Sequence, residues 1–283
     1  MTGDNAISLT CTACPHACAL APGAHGICRA RMNRAGRIVD ENYGRVTSLA
    51  LDPVEKKPLA CWNPGSYVLS VGSYGCSMRC QFCQNASIAQ VGAGGVPWHE
   101  MQPDELVERA CELRRRGCIG IAFTYNEPLC GYEFVRDTAK RAHEAGMRTV
   151  LVSNGMATDA VLDELAGLID AANIDLKCFT AVGYRRLGGD FAAVRHTIER
   201  LVSDPVCHVE VTTLVVPGLS DGEAQIDEAS AWLASLDPSI PYHLTRFFPC
   251  YRMAEGMPTP LRTLASLADV ARTHLDDVLL GNV

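Results

Sequence analysis

The chain has 283 residues and 48% hydrophobic content, which is enough apolar material for one large core. Its formal net charge of -7 argues against a general nucleic-acid binder, because that class usually carries a basic excess. The apolar runs are far too short to span a bilayer, and the start MTGDNAISLT has no signal-peptide pattern. We therefore expect a cytoplasmic monomer that binds neither nucleic acid nor membrane.

The first 66 residues lack the strand and helix alternation of the remainder. They are predicted to form an N-terminal Cys-rich knuckle and connection (1–66), followed by a second domain (67–283). The knuckle cysteines are Cys11, Cys14, Cys18 and Cys28. Four thiolates can close a tetrahedral zinc site or hold a second iron–sulfur cluster, and we prefer structural zinc. His16 and His25 lie in the same segment and are not expected to be ligands.

From residue 67 onward, short apolar segments alternate with helical segments, as they do around buried parallel sheets. Strands are predicted at 67–73, 119–124, 148–154, 172–177, 208–216, 242–247 and 277–282. At least six β/α repeats indicate an α/β fold with a partial (β/α)6 TIM-like barrel.

Helix start and stop signals lie between these strands. Pro103 and Pro260 are expected to open helices, and Gly117 is expected to end one. Ser220 with Glu223 predicts a capping box at the start of another helix.

The loop after the first predicted strand reads GCSMRCQFCQNA. It carries Cys76, Cys80 and Cys83 at the spacing C-x3-C-x2-C. Three thiolates from one tight loop suit a cubane [4Fe–4S] cluster, because they bind three irons and leave the fourth open. The alternative is a zinc site that borrows a distant fourth ligand.

Polar or Gly-bearing segments follow or end six of the predicted strands. In parallel α/β folds such segments meet at the carboxyl edge of the sheet, where active sites lie. The segments are Tyr74-Gly75 with the cysteine loop, YNEP (125–128), SNG (153–155), Asp175-Leu176-Lys177, VVPG (215–218), and His243 with Arg246. Their convergence predicts an active site on this face.

The motif C-x3-C-x-Φ-C, with Phe82 as Φ, resembles the signature of the radical S-adenosylmethionine (SAM) superfamily. The resemblance implies that the methionine amino and carboxylate groups of SAM occupy the open iron. It also implies reductive cleavage of SAM to a 5′-deoxyadenosyl radical that abstracts hydrogen. The chain is most similar to the pyruvate formate-lyase activating enzyme-like group, especially its AmmeMemoRadiSam-system members, through CTACPHAC, DPVEKKPL, TYNEP, NIDLK and TTLVVPG.

The same resemblance implies the site residues. Glu127 matches the acid of the family's GGE-type motif, and Asn126 replaces a glycine there. Lys177 lies where activating enzymes place a cation, and it joins the three loop cysteines in the predicted catalytic set. The predicted SAM contacts are Tyr74, Phe82, Asn126, Glu127, Pro128, Ser153, Asn154, Asp175, Lys177, Val216, His243 and Arg246.

Neither fold nor cofactor fixes the substrate. A protein or peptide, as for a glycyl-radical activase, and a small molecule both stay open. A flavodoxin or ferredoxin is the expected electron donor, because cluster potentials reach about -700 mV at the low end. The competing hypothesis is an iron–sulfur electron-transfer protein, which would need none of the NEP, SNG and DLK segments. Cys130, Cys178 and Cys250 also follow strand ends, where they either face the site or fill space.

Overall fold

The computed structural model describes residues 8–283. The prediction that the chain starts without a signal peptide rests mainly on residues 1–7, which lie outside the described residues. Within residues 8–283, no helix combines the length and apolar character needed to cross a bilayer.

The elements follow the predicted alternation from residue 67 onward. The strands are β1 (Leu9–Thr10), β2 (Ala19–Leu20), β3 (Arg31–Arg34), β4 (Arg37–Asp40), β5 (Arg45–Val46), β6 (Ser48–Pro53), β7 (Tyr67–Gly72), β8 (His99–Glu100), β9 (Cys118–Phe123), β10 (Arg148–Ser153), β11 (Ala171–Asp175), β12 (His208–Val215), β13 (Tyr242–Arg246) and β14 (Val278–Gly281). The α-helices are α1 (Ala86–Ala89), α2 (Pro103–Glu112), α3 (Tyr132–Glu144), α4 (Asp159–Leu165), α5 (Ala181–Arg186), α6 (Phe191–Val202), α7 (Glu223–Leu236) and α8 (Leu261–Ala271).

The central sheet has eight strands in the order β14-β13-β12-β11-β10-β9-β7-β6. Strands β7 and β9 to β14 run parallel, and β6 pairs antiparallel with β7. β6 and β14 stand at opposite edges, so the barrel is open. Helices connect the successive parallel strands, which confirms the predicted α/β partial barrel.

Alternation along each strand produces two apolar layers. Leu69 and Ile121 belong to the main core, together with the apolar faces of the helices. Their neighbours Val68 and Ala122 form a second cluster with Val54, which comes from the segment after β6. The connection DPVEKKPLACWNPGS therefore packs against the barrel, on the side that the helices do not cover.

The N-terminal segment is attached to the barrel through the sheet itself. β6 lies before the predicted domain boundary at residue 66, yet it hydrogen-bonds to β7 over six residue pairs from Ser48 to Pro53. The division into 1–66 and 67–283 stays a prediction.

The capping box predicted from Ser220 and Glu223 is wrong. α7 begins at Glu223 after Gly222, and no side chain caps it. The hydroxyl of Ser220 instead donates to the carbonyl oxygen of Leu214 at 2.7 Å and accepts from the amide of Val216 at 2.9 Å. Ser220 thus stabilises the VVPG turn rather than the helix, because its hydroxyl is already used by the preceding strand.

The other helix signals are confirmed. Pro103 is the first residue of α2, and Pro260 immediately precedes α8. Gly117 follows a 3-10 turn, Leu113–Arg116, and has φ 83°. That left-handed conformation is readily adopted by glycine and ends the helical segment before β9 begins.

Candidate active site

The three-cysteine loop follows the carboxyl end of β7. Burial raises the pKa of Cys76, of Cys80 to about 11, and of Cys83. Charge on Cys80 and Cys83 adds to the rise at Cys76, whereas the charge on Lys177 opposes the rise at Cys80 and Cys83. With the side chains in these positions, no group of three His, Cys, Asp or Glu residues within 8–283 could hold a metal ion. The donor set itself fits a cubane cluster, because it supplies three soft thiols from one loop. Metal binding would offset the burial that disfavours the thiolates.

Asn126 fixes the backbone that leads into this loop. Its Oδ1 accepts from the amide of Ser73 at 2.9 Å, and its Nδ2 donates to the carbonyl oxygens of Tyr74 and Gly75, each at 3.2 Å. Asn42 also donates to the carbonyl of Tyr74, at 3.0 Å. The residue that replaces a glycine of the related motif therefore connects β9 to the start of the cysteine loop.

Glu127 ties the NEP segment to the SNG segment. Its carboxylate accepts from the amide of Leu129 at 3.0 Å, the hydroxyl of Ser153 at 2.7 Å and the amide of Asn154 at 2.8 Å. Burial raises the pKa of Glu127 to about 7, although these three hydrogen bonds oppose the rise. Pro128 starts the 3-10 turn that follows, Pro128–Gly131, and is itself buried.

Asn154 carries this network to the cysteines. Its Nδ2 lies 3.6 Å from the sulfur of Cys76 and 3.1 Å from the hydroxyl oxygen of Ser77. Its side-chain oxygen accepts from the amide of Met156 at 2.9 Å. The carboxyl ends of β7, β9 and β10 are thus joined by side-chain hydrogen bonds around the cysteine loop.

Lys177 and Asp175 bring charge to the other side of the loop. Lys177 Nζ lies 2.7 Å from Asp175 Oδ2. Burial lowers the pKa of Lys177, but negative charge on Asp175, Cys80 and Cys83 outweighs it, and the net pKa is raised. The ammonium group is therefore close enough to act electrostatically on two of the three thiols.

Three other predicted contacts are buried and already bonded within the protein. The hydroxyl of Tyr74 accepts from Arg45 at 2.8 Å, which turns its ring towards the N-terminal segment. The carbonyl oxygen of Phe82 accepts from the thiol of Cys250 at 3.1 Å. Val216 is 1% exposed and packs in the main core. Their contacts with SAM stay predictions.

The structure does not bring His243 to the cysteine loop. It is the second residue of β13, and its Nε2 lies 2.5 Å from a carboxylate oxygen of Glu210. Glu210 is fully buried and also accepts from the amides of Ala60 and Cys61, at 3.0 and 2.9 Å. Arg246 ends β13 and donates to a backbone carbonyl across the following loop, at 2.8 Å. Roles for His243 and Arg246 in cofactor binding stay predictions.

Besides the contacts of Glu210, sequence reasoning missed a polar group formed by Asp52, Lys57 and Tyr125. Lys57 Nζ lies 2.9 Å from Asp52 Oδ2, and the hydroxyl of Tyr125 donates to the same oxygen at 2.6 Å. Tyr125 directly precedes Asn126 and has φ 71°. The segments DPVEKKPL and TYNEP contain all three residues, but their pairing depends on a contact between distant parts of the chain.

The N-terminal cysteines share one small cavity. Its lining includes Cys11, Cys14, Cys18, Cys28 and Cys130. Burial raises the pKa of Cys14 to about 12, and charge on the other three knuckle thiols adds to the rise. The four thiols thus line one cavity, although within residues 8–283 no three of them stand where they could already hold a metal ion. As a donor set, four thiols suit either zinc or a second cluster.

The knuckle rests directly on the cysteine loop. The amide of Cys76 donates to the carbonyl of Cys28 at 3.1 Å, and the ring Nε2 of His16 lies 2.8 Å from the carbonyl of Ser77. A side chain at Gly75 would place its Cβ 2.5 Å from the carbonyl of Cys28, so only glycine allows this approach.

The three separate cysteines take different positions. Cys130 packs against Cys28, and the contact between their thiols lowers the pKa of Cys28 and raises that of Cys130. Cys250 lies against Phe82 in the cysteine loop. Cys178 is 2% exposed, and its sulfur is 3.7 Å from a backbone carbonyl of the next turn.

Comparison with known proteins shows which family this chain resembles. The family model for the Radical SAM superfamily matches residues 70–228. An uncharacterized protein of Methanocaldococcus jannaschii is 37% identical over 280 residues, which are 96% of this chain and 81% of that protein. Pyruvate formate-lyase 1-activating enzyme of Escherichia coli (strain K12) is 29% identical over 153 residues, covering 53% of this chain and 61% of the enzyme.

Solved structures agree on the fold. Streptococcus suis SuiB bound to precursor peptide SuiA has a TM-score of 0.59 at 12% identity, over 77% of this chain and 49% of that one. A domain of pyruvate-formate lyase-activating enzyme from Bacteroides vulgatus has a TM-score of 0.51 at 19% identity, over 58% of this chain and 99% of that one. At these identities the likeness concerns the fold alone.

The chain belongs to the radical SAM superfamily. Its cofactors are a [4Fe–4S] cluster and SAM, which confirms the family and both cofactors predicted from the sequence.

Proposed function

We propose that Cys76, Cys80 and Cys83 hold the cluster and that this chain cleaves SAM reductively to begin a hydrogen abstraction. The observation that carries the proposal is the hydrogen-bonded group of Glu127 and Asn154 beside the three thiols, at the carboxyl ends of β7, β9 and β10. When bound, the cluster supplies the electron that converts SAM to methionine and a 5′-deoxyadenosyl radical. An electron-transfer protein would need a fourth ligand here instead of this polar group.

The side chains around the loop have distinct roles in this proposal. A carboxylate offers about four acceptor positions, and Glu127 uses three of them within the protein, so one is free for the methionine ammonium. Asn126 and Asn154 hold the loop in place. Lys177 provides the positive charge that offsets the electron added near Cys80 and Cys83.

The substrate that we propose is a protein or peptide, as in activating enzymes. The support is the Escherichia coli relative, whose name states that it activates pyruvate formate-lyase 1. A small-molecule substrate is the alternative, because 53% coverage at 29% identity leaves the substrate pocket unconstrained.

Deuterium transfer distinguishes the two substrate classes. Extract from cells grown in deuterated medium would first be divided by size into a protein fraction and a metabolite fraction. The reconstituted protein would then be incubated anaerobically with SAM, reductant and each fraction separately. Hydrogen abstraction from the substrate places deuterium in 5′-deoxyadenosine, which mass spectrometry detects. We expect transfer from the protein fraction, and transfer confined to the metabolite fraction would contradict the proposal.

For the N-terminal site we propose structural zinc on Cys11, Cys14, Cys18 and Cys28. The support is the shared cavity, with the buried guanidinium of Arg31 in its lining. Metal analysis of anaerobically prepared protein should give one zinc and four irons per chain. Eight irons without zinc would favour the second-cluster alternative.

We also propose that the protein works in the cytoplasm. All fourteen cysteines are free thiols, although several lie close to one another. Free thiols in such groups suit a reducing compartment.

A further inference from the structure

We propose that four exposed arginines beside the cysteine loop form the docking surface for an acidic protein that reduces the cluster. The inference rests on the function proposed above, since it requires the cluster at this loop. The members of this arginine patch are Arg79, Arg185, Arg186 and Arg252.

Arg79 belongs to the cysteine loop itself and immediately precedes Cys80. Its amide donates to the carbonyl of Leu187 at 2.7 Å. Leu187 directly follows Arg185 and Arg186, which end α5. Three of the four arginines are therefore joined by one short backbone contact at the outer surface of the loop.

Arg252 lies on the segment that follows β13, which packs against the loop. Its amide donates to the carbonyl of Gln81 at 3.0 Å, and the thiol of Cys250 donates to the carbonyl of Phe82 at 3.1 Å. The segment after β13 thus lies against the loop through two hydrogen bonds. Segments that follow β7, β11 and β13 meet here, and each presents at least one arginine.

The charges of the patch are available to a partner. Within the described part of the chain, none of the four arginines forms an ion pair with a carboxylate. Glu255 is the nearest acid along the segment after β13, and it too is exposed. Because the whole chain has a net charge of -7, this local positive surface is opposite in sign to the average. An acidic partner would be attracted to it in preference to other faces.

The location identifies the kind of partner. Cys83 is only partly buried, and Arg79 and Gln81 are exposed, so the loop is an outer wall of the proposed cluster site. Phe248 and Tyr251 are 42 and 41% exposed and add apolar surface to the patch. Redox complexes use small interfaces of less than about 1,200 Å² and depend on electrostatic steering. The donor loses one electron and the cluster gains it, with no proton or other co-reactant.

The test uses two reductants. Reduced flavodoxin is the acidic protein probe, and dithionite is a small reductant that needs no docking surface. In the Arg185→Glu/Arg186→Glu variant, which leaves the cysteine loop unchanged, we expect the KM for flavodoxin in 5′-deoxyadenosine formation to rise about tenfold or more. The rate with dithionite should stay at the parent value. Arg252→Glu, which also lies outside the cysteine loop, should raise the KM for flavodoxin and leave the dithionite rate unchanged.

The matched control is Arg115→Glu/Arg116→Glu. These arginines are exposed and lie just before β9, near the opposite end of the strands. An unchanged KM in both patch variants, or an equal rise in the control, would overturn the docking surface. Absence of 5′-deoxyadenosine from the parent protein with dithionite would instead contradict the proposed function. In the parent, added salt should raise the KM for flavodoxin, and in the patch variants it should have little effect.

Discussion

Asn126 illustrates how much a single side chain contributes to the site. A glycine at this position, as in the related motif, would leave the amide of Ser73 and the carbonyls of Tyr74 and Gly75 without these partners. The side chain of Asn126 thus holds the backbone at the start of the cysteine loop in position. In this chain the loop is positioned by a side chain of the neighbouring strand end as well as by its own turns.

Replacement of this side chain should loosen the loop. We expect Asn126→Gly to lower the free energy of unfolding by about 1–3 kcal/mol, because the amide of Ser73 loses its partner and the carbonyls of Tyr74 and Gly75 each keep only one other donor. Iron should also dissociate faster from the reconstituted protein. Urea unfolding and iron retention under anaerobic dilution measure the two effects. Gln84→Ala, an exposed change in the same loop, is the control, and equal behaviour of the two variants would disprove the bracing role.

The charge on Lys177 should set the reduction potential of the site. Lys177→Gln removes a positive charge that acts on Cys80 and Cys83, so the added electron is stabilised less. We predict a more negative midpoint potential for the cluster, measured by anaerobic EPR-monitored redox titration. Arg115→Gln, remote from the loop, should leave the potential unchanged. A potential equal to or above that of the parent in Lys177→Gln would rule out this electrostatic role.

Sequence reasoning was strong at this scale where the information is local. The spacing of Cys76, Cys80 and Cys83 lies within eight residues and could be read directly. The partner of His243 is Glu210, 33 residues away, and the thiol bonded to Phe82 is 168 residues away. Such pairs depend on which strands become neighbours, and no local pattern records that.

At the scale of elements, Glu210 of β12 attaches the connection between β6 and β7 to the barrel. Its carboxylate accepts from the amides of Ala60 and Cys61 and from the rings of His208 and His243. Burial raises the pKa of Glu210, but these hydrogen bonds outweigh it and lower the pKa from its ordinary 4.5 to about 2. The ionised carboxylate is thus favoured by folding.

This depressed pKa predicts an acid-sensitive contribution to stability. An acid whose pKa is lower in the folded state stabilises the fold above about pH 4.5, and the contribution is lost as the pH falls towards 2. We expect Glu210→Gln to lower the free energy of unfolding at pH 7 by about 1–3 kcal/mol. The difference from the parent should shrink between pH 4.5 and 2 in urea unfolding of the metal-free protein. Glu228→Gln, an exposed substitution on α7, should match the parent, and a constant difference across this pH range would contradict the assignment.

The predicted strands agree with the structure because buried parallel strands are short continuous apolar runs. β6 was missed, since it is an antiparallel edge strand with partly exposed residues, and only a short 3-10 helix, Val54–Lys56, follows it. The capping box failed for a different reason. Ser220 has the right spacing to Glu223, but its hydroxyl is held by β12 and the following turn. β6 is defined by its pairing with β7, whereas Ser220 is held by hydrogen bonds to residues four and six positions earlier in the chain.

At the scale of the whole molecule, the knuckle and the barrel meet at the cysteine loop. The carbonyl of Cys28 accepts from the amide of Cys76, and its side chain packs against Cys130. The N-terminal thiols thus lie next to the predicted catalytic centre. The three cysteines of the C-x3-C-x2-C loop are a separate set of candidate ligands. Spacing predicted both cysteine groups, but their contact could be learned only from the structure.

This arrangement predicts a partial effect of losing the N-terminal site. Cys14→Ala should remove the N-terminal metal and lower stability, because metal binding and folding are linked. Cleavage of SAM should stay measurable, since the three loop cysteines are intact. Metal analysis and a thermal unfolding scan, paired with a 5′-deoxyadenosine assay, check the two parts. Complete loss of cleavage in a protein that keeps four irons would show that the knuckle is itself catalytic.

The most direct test of the central claim is anaerobic. The reconstituted, reduced protein would be examined by EPR with and without SAM, and 5′-deoxyadenosine would be assayed in the same samples, with Cys80→Ala beside the parent. In the parent protein, we predict that SAM changes the EPR signal of the cluster and that 5′-deoxyadenosine forms. In Cys80→Ala, we predict neither the change in signal nor the formation of 5′-deoxyadenosine. An intact cluster whose signal ignores SAM, or Cys80→Ala cleaving SAM at the parent rate, would contradict the account.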